Sequence, residues 1–289
     1  MRIVRSVKQL HQILEPLRLK GQRIGFVPTM GYFHEGHLSL MRRAKKECAV
    51  CVVSIYVNPK QFGPKEDLKA YPRDIKRDAK IIQKENVDIL FIPSDNDVYP
   101  HGYLTYIDVE RISRMLCGQY RPGHFKGVAT VVAKLLNMVR PDALYLGQKD
   151  AQQVAVLTRM VADLNFPVSV RVVATAREKD GLAMSSRNIF LTPQERAQAP
   201  VLYRALQDAA KRIRAGSVSV ARITADIKKR IARDSSAKVQ YVACVHADSL
   251  EPLKIFKGRL LIALAVFFNR TRLIDNVIIC VKKSSKVQS

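Results

Sequence analysis

Apolar residues are spread along the chain in two alternating patterns. Residues 24–28, 49–57, 87–92, 143–146 and 168–174 are short, nearly unbroken apolar runs, as expected of strands buried on both faces. Segments with helical spacing separate them. Residues 36–48 place Leu38, Met41 and Ala44 on one face, 73–85 align Ile75, Ala79 and Ile82, and 128–138 and 151–164 read as apolar helices. This alternation predicts an α/β fold with a parallel sheet covered on both sides. Such sheets bind ligands outside the carboxyl ends of their strands, where the strand order reverses.

The pattern changes after Asn188. Thr192 and Pro193 suit an N-cap and a first helical position, predicting a helix over 192–214. A second helix over 220–232 follows, then shorter strands at 239–245, 260–267 and 277–281. The expected organisation is a parallel-sheet α/β domain over residues 1–176 and a smaller α+β domain over 177–289.

Composition narrows the class. A chain of 289 residues, 47% hydrophobic and 26% charged, is neither disordered nor collagen-like. Its longest apolar run, 260–268, is nine residues, well short of the roughly 20 that cross a bilayer. Arg2, Arg5 and Lys8 precede no apolar stretch, so no secretory leader and a cytoplasmic location are expected.

The charge is unusual: 49 Lys and Arg against 25 Asp and Glu, a net +24. Such an excess favours polyanions. It is scattered, with small clusters at 42–46, 228–230 and 282–286, and aromatics are only 7% with no Trp. A surface that stacks nucleic-acid bases needs aromatic faces among its cations, so a solvated basic surface is the better reading. Cys48 and Cys51 form a C-x-x-C, but at a helix-to-strand passage rather than a helix start, and no second pair stands at zinc spacing. They read as core thiols in a reducing compartment.

Chemistry concentrates in four segments. The first, Pro28-Thr29-Met30-Gly31-Tyr32-Phe33-His34-Glu35-Gly36-His37, follows a strand and opens a helix. His34 and His37, three apart, share one face at the positive end of the helix dipole, and Gly36 leaves the backbone open to a phosphate. The spacing is one short of the zinc-protease pattern. The second, Gly147-Gln148-Lys149-Asp150 with Gln153, again joins a strand end to a helix start. Lys149 offers a point charge for phosphate and Asp150 an acceptor for ribose hydroxyls. The third, Asp180 to Asn188, brings two serines and Arg187 together near the proposed boundary, a composition suited to a loop closing on phosphates. The fourth, Asn58 to Pro64, places the amides of Asn58 and Gln61 just after a buried strand.

These segments, in this order, resemble the pantothenate synthetase (pantoate–β-alanine ligase) family. The matching runs are PTMG-x-x-HEGH (28–37), NP-x-QFGP-x-EDL-x-x-YPRD (58–74), CG-x-x-RPGHF-x-GV-x-TVV (117–132), G-x-KD-x-QQ (147–153), REKDGLAMSSRN (177–188) and TRLIDN (271–276). The resemblance implies ATP and Mg²⁺, and a ligation in which pantoate is adenylated before β-alanine displaces AMP. It also implies a Rossmann-like domain of the nucleotidyltransferase type with a smaller carboxyl-terminal lid, and a cytoplasmic homodimer. By motif it assigns catalysis to His37 (as proton donor), His34, Lys149 and Arg187. The ATP contacts it implies are Met30, Gly31, Tyr32, Phe33, His34, Glu35, Gly36, His37, Gly147, Gln148, Lys149, Asp150, Ala176, Met184, Ser185, Ser186 and Arg187. Asn58, Gln61 and Gln153 would hold pantoate, Gln61 would also face β-alanine, and Asp78 matches a position associated with Mg²⁺. Ala176 stands where Val is usual, and Phe268-Asn269-Arg270 departs from the pattern before TRLIDN. The alternatives are another His-x-Gly-His adenylyltransferase or a basic nucleic-acid-binding protein; no membrane partner is expected.

Overall fold

The computed structural model describes residues 1–64, 66, 68–216 and 218–281. Its elements are β1 (Arg2–Val4), α1 (Val7–Leu19), β2 (Ile24–Thr29), α2 (Glu35–Glu47), β3 (Val50–Ile55), α3 (Ile75–Lys84), β4 (Ile89–Phe91), α4 (Asp95–Val98), α5 (Cys117–Tyr120), α6 (His124–Val139), β5 (Ala143–Gly147), α7 (Ala151–Asp163), β6 (Ser169–Val173), α8 (Pro193–Gln198), α9 (Val201–Ala215), α10 (Val220–Asp234), β7 (Lys238–His246), β8 (Gly258–Phe268) and β9 (Thr271–Val281). They form two compact units, Met1–Gln148 with Val156–Ala176, and Lys149–Ala155 with Arg177–Ser289.

In the first unit six strands form one sheet in the order β1-β4-β3-β2-β5-β6, with every pair parallel. The continuous apolar runs explain this. β3 and β4 are buried at every position and β2 at its first four, so helices must cover both faces. The edge strands β1 and β6, each paired on one side only, carry exposed residues. Strand order reverses between β2 and β5, which are paired through Gly25–Ala143 and Phe26–Leu144. Their carboxyl ends, Thr29 and Gly147, therefore flank the crevice where a sheet of this kind takes its ligand.

The second unit holds an antiparallel sheet, β7-β8-β9. Leu260, Ile262, Leu264 and Val266 of β8 pack with Leu206, Ile213, Ile223 and Ile227 of α9 and α10 in one core. The expected α/β class with a smaller α+β part is the observed fold.

Three expectations differ. The helix expected over 192–214 is two, α8 and α9, because Pro200 interrupts the backbone hydrogen bonding and sits at the N-cap of α9. β9 begins six residues earlier than position 277, since Asp275 and Asn276 lie inside it, paired with Leu264 and Ala263. Lys149–Ala155 groups with the second unit, where the Asn276 side-chain amide donates to the Lys149 carbonyl at 2.9 Å. The helix α1 was not anticipated. Pro16 inside it masks the helical pattern, yet Ser6 caps its start and Leu10 and Leu14 bury its inner face. The basic cluster at 282–286 lies outside the described residues.

Candidate active site

β2 ends in a turn with an unfavourable backbone, Gly31 at φ +82 and Tyr32 at φ +53. Asp78 of α3 holds this turn from below. It is 1% exposed; its Oδ2 accepts the Tyr32 N–H at 2.6 Å and its Oδ1 the Phe33 N–H at 3.0 Å. A Cβ on Gly31 would stand 2.9 Å from Asp78 Oδ2, so both the positive φ and the approaching carboxylate require glycine there. Arg77 completes the support, donating to Asp78 Oδ1 at 3.2 Å and to the Phe33 carbonyl at 3.1 Å. Its guanidinium lies 4.8 Å from the Tyr32 ring centre. Burial pushes the Asp78 carboxyl above the usual carboxylate range, against the downward pull of the two N–H groups and Arg77.

This turn delivers His34 as the N-cap of α2. His34 Nδ1 accepts the Gly36 N–H at 3.1 Å, and His37 Nδ1 lies 3.4 Å from the His34 N–H, closing a capping box at the helix start. A ring nitrogen that accepts a backbone N–H carries no proton, so the neutral tautomer of each histidine has its hydrogen on Nε2. Two imidazoles, 4.2 Å apart between ring centres, therefore stand as Nε2–H donors at the positive end of a helix. Gly36 has a role that sequence reasoning missed: a Cβ there would meet the His34 ring at 2.8 Å, preventing the fold-back that makes the cap. Ala176 lies beside the same glycine, its own Cβ 3.8 Å from where that added carbon would stand.

The turn after β3 brings Asn58 and Gln61 to the same rim of the sheet. Asn58 is buried, and its amide nitrogen donates to Gln61 Oε1 and to the Gly127 carbonyl, each at 3.1 Å. Gln61 Nε2 lies 3.2 Å from Met30 Sδ, which ties this turn to the one after β2. Gly127 lets α6 pass closely, since a Cβ there would stand 2.2 Å from the Lys60 carbonyl oxygen. His124 Nε2 faces Arg121, a donor only, at 3.0 Å; its Nδ1–H then donates to the Gln61 carbonyl at 2.7 Å. The RPGHF-x-G run is thus a platform for Gln61.

In the second unit, Lys149 sits at the start of the Lys149–Ala155 segment, with its carbonyl held by Asn276. Burial pulls its pKa down, Asp150 and Asp275 pull it up, and Arg187 lowers it again. Lys149 and Arg187 therefore lie within electrostatic reach of one another, the pairing of cations that a polyphosphate would neutralise. Ser185 is the N-cap of a short 3₁₀ turn, its Oγ accepting the Arg187 N–H at 3.3 Å. Arg177 anchors the start of this loop through Asp275, at 2.7 and 2.9 Å. Gln153 lies in the first turn of α7.

Within the first unit the structure groups Met30, Gly31, Tyr32, Phe33, His34, Glu35, Gly36, His37, Asn58, Gln61 and Ala176 around the ends of β2 and β3, with Gly147 and Gln148 at the end of the neighbouring β5. Within the second it groups Lys149, Asp150 and Arg187. Four residues offer less than expected. Asn58 is buried and spends both ends of its amide on protein partners. The Phe33 ring is buried in the core, and its N–H and carbonyl are taken by Asp78 and Arg77. The Glu35 carboxylate pairs with Arg42. Asp78 does not fit Mg²⁺, because its two oxygens already accept two N–H groups and a guanidinium. Among the described residues no group of three or more His, Cys, Asp and Glu side chains could hold a metal ion. The basic cluster at 42–46 is largely self-neutralised, with Arg42 on Glu35 and Glu85, Arg43 on Glu47 and Lys45 on Asp88.

The supporting residues Arg77, His124, Arg177, Asp275 and Asn276 lie in the matching motifs or beside them, but their partners are distant in sequence. The one local signal is at Asp275 and Asn276, polar residues at strand positions that are buried.

Known proteins share this sequence and this fold. The pantoate-beta-alanine ligase family profile matches residues 2–278. Pantothenate synthetase of Heliobacterium modesticaldum is 52% identical over 279 residues, covering 96% of this chain and 99% of the relative. That of Thermoanaerobacter sp. is 50% identical over 278 residues, covering 96% and 98%. The crystal structure of pantothenate synthetase from Thermus thermophilus superposes with a TM-score of 0.91 at 45% identity, covering 96% of this chain and 99% of that one. Pantoate-beta-alanine ligase from Francisella tularensis, solved with beta-gamma ATP and beta-alanine, gives a TM-score of 0.79 at 38% identity, covering 96% and 97%. No described helix is long and apolar enough to cross a membrane. The chain belongs to the pantoate–beta-alanine ligase family.

Proposed function

We propose that this enzyme condenses (R)-pantoate with β-alanine in two steps at the rim where β2, β3 and β5 end. In the first, a pantoate carboxylate oxygen attacks the α-phosphorus of ATP, forming the acyl–phosphate bond as pyrophosphate leaves. In the second, the β-alanine amine attacks the acyl carbon and forms the amide C–N bond, the acyl carbon–phosphate oxygen bond breaks with its electron pair leaving on AMP, and the nitrogen loses a proton. Activation is needed because a carboxylate is a poor acyl donor.

The observation that carries this reading is the histidine pair. Two Nε2–H donors fixed in tautomer by the helix start they cap suit a departing pyrophosphate, whose charge grows as the bond breaks. Because backbone groups hold the rings in place, little reorganisation accompanies the reaction. His37 is assigned as proton donor and His34 as its partner on the triphosphate. Lys149 and Arg187 are assigned to phosphate charge and Asp150 to ribose. Residues 184–187 are assigned as a lid that keeps water from the acyl adenylate, and Gln61 and Gln153 to pantoate, with Asn58 supporting Gln61 from beneath and Gln61 also facing β-alanine. Mg²⁺ would come with the nucleotide, screening its phosphate charge, rather than sit in a site built from Asp78. A cytoplasmic homodimer is part of the same proposal.

Product analysis with each substrate omitted in turn tests the reading. AMP release that requires ATP, pantoate and β-alanine together supports it. AMP retained covalently in the product would instead make this another adenylyltransferase.

A further inference from the structure

Asn58 is 1% exposed, and backbone groups settle which way its amide faces. The Lys60 N–H, a donor only, reaches Oδ1 at 3.3 Å, while the Gly127 carbonyl, an acceptor only, faces Nδ2 at 3.1 Å. With that orientation set, the Tyr99 hydroxyl at 2.9 Å must donate to Oδ1, and the second Nδ2 hydrogen is directed to Gln61 Oε1 at 3.1 Å. The Gln61 oxygen is thus committed to protein, and its nitrogen side, next to the weakly accepting Met30 sulfur, is the side left to meet a ligand. A carboxamide presented in this way recognises acceptor oxygens, such as the carboxylate or hydroxyl oxygen of a hydroxy acid.

We propose that Tyr99 is a positioning residue for the pantoate subsite: by donating to Asn58 it holds Gln61 with its N–H groups toward the hydroxy acid. The inference rests on the assignment of Gln61 to pantoate. Tyr99 suits the task because its ring is fixed independently of its hydroxyl. Tyr103 packs edge-on at 5.1 Å between ring centres, Tyr56 lies at 6.4 Å, and the Lys60 ammonium stands 5.9 Å above the ring. Burial also raises the Tyr99 pKa well above the ordinary tyrosine value, so the hydroxyl keeps its hydrogen at every working pH. Nothing in the matching motifs marks this residue, which lies immediately after α4, 41 positions from Asn58.

Tyr99→Phe removes one hydroxyl and leaves the ring packing in place. Loss of one neutral hydrogen bond should raise the pantoate KM about three- to tenfold while the ATP KM stays within about twofold. In an Asn58→Ala background the same change should add no further rise, because the relay is already broken. An unchanged pantoate KM in Tyr99→Phe, or an equal rise for ATP, overturns the inference when Gln61→Ala does raise the pantoate KM. If Gln61→Ala leaves the pantoate KM unchanged, the pantoate assignment falls and this inference falls with it. Additive effects in the double variant would also overturn it.

Discussion

Arg177 and Asp275 form a two-pronged ion pair at 2.7 and 2.9 Å, joining residues 98 positions apart within the second unit. The carboxylate is 2% exposed, and while the guanidinium's N–H edge meets it, the guanidinium carbon lies 3.8 Å from the Tyr203 ring centre. Gly181 permits this stack: its φ is +95, and a Cβ would come within 2.4 Å of the Tyr203 ring. The neighbouring Asn276 holds the Lys149 carbonyl, so one stretch of β9 supports both the turn carrying Lys149 and the loop carrying Arg187.

Asp275→Asn should therefore be costly. It leaves a largely buried guanidinium with a neutral partner, and breaking such a pair typically costs about 3 kcal/mol. Urea unfolding should show the loss as a lowered midpoint. Arg177→Lys, which keeps the charge but not the fork, should also destabilise, and a midpoint unchanged in both variants would refute the anchoring role.

Asp78→Asn should slow adenylation without changing the Mg²⁺ requirement. The variant turns an NH₂ group toward a backbone N–H that previously met an acceptor, a loss of about 1–3 kcal/mol in the turn that delivers His34. Titrating Mg²⁺ against pyrophosphate release separates the two possible roles. A half-saturating Mg²⁺ concentration that rises about tenfold or more would make Asp78 a metal residue after all.

The depressed pKa of Lys149 predicts a basic limb in the rate profile. Its ammonium is present at low pH and is lost as pH rises, earlier than the ordinary lysine value of 10.5 because burial disfavours the charge. In the free enzyme, kcat/KM for ATP should fall along that limb, and Lys149→Arg should keep its plateau to higher pH. For stability the sign is opposite. The folded state binds this proton less tightly than the unfolded state, so the cost of burying the charge is full below the depressed value and fades as pH approaches 10.5. A limb unmoved by Lys149→Arg would remove Lys149 from the account.

The C-x-x-C should be inert. Cys48, Cys51, Cys117 and Cys244 are buried and only Cys280 is exposed; burial pushes the Cys51 thiol up to about 12 and the Cys244 thiol to about 11. A thiol reagent at pH 8 should label Cys280 quickly in native protein and the other four only on unfolding. Rapid labelling or oxidation of the Cys48–Cys51 pair would contradict this.

Much of the fold was legible locally, because strands buried on both faces leave unbroken apolar runs and their covering helices leave a regular stripe. Reading failed where proline or polar residues sat inside an element. Pro16 hid α1, Pro200 split one expected helix into two, and Asp275 and Asn276 concealed the first half of β9. The residues proposed for the chemistry, His34, His37, Lys149 and Arg187, stand out in the sequence because they sit in dense, unusual clusters. Their supports do not: Asp78 grips a turn 46 positions away and Tyr99 an amide 41 away, distances over which only the folded chain pairs donors with acceptors. Asp78 is the clearest case, since an acidic residue in sequence does not reveal that its oxygens already accept two N–H groups and a guanidinium.

The most direct test of the two-step account is a rapid-quench measurement with ATP and pantoate but no β-alanine. The account predicts a burst of pyrophosphate stoichiometric with active sites while AMP stays bound as the acyl adenylate, then AMP release once β-alanine is added. Pyrophosphate that appears only after β-alanine is supplied would contradict it.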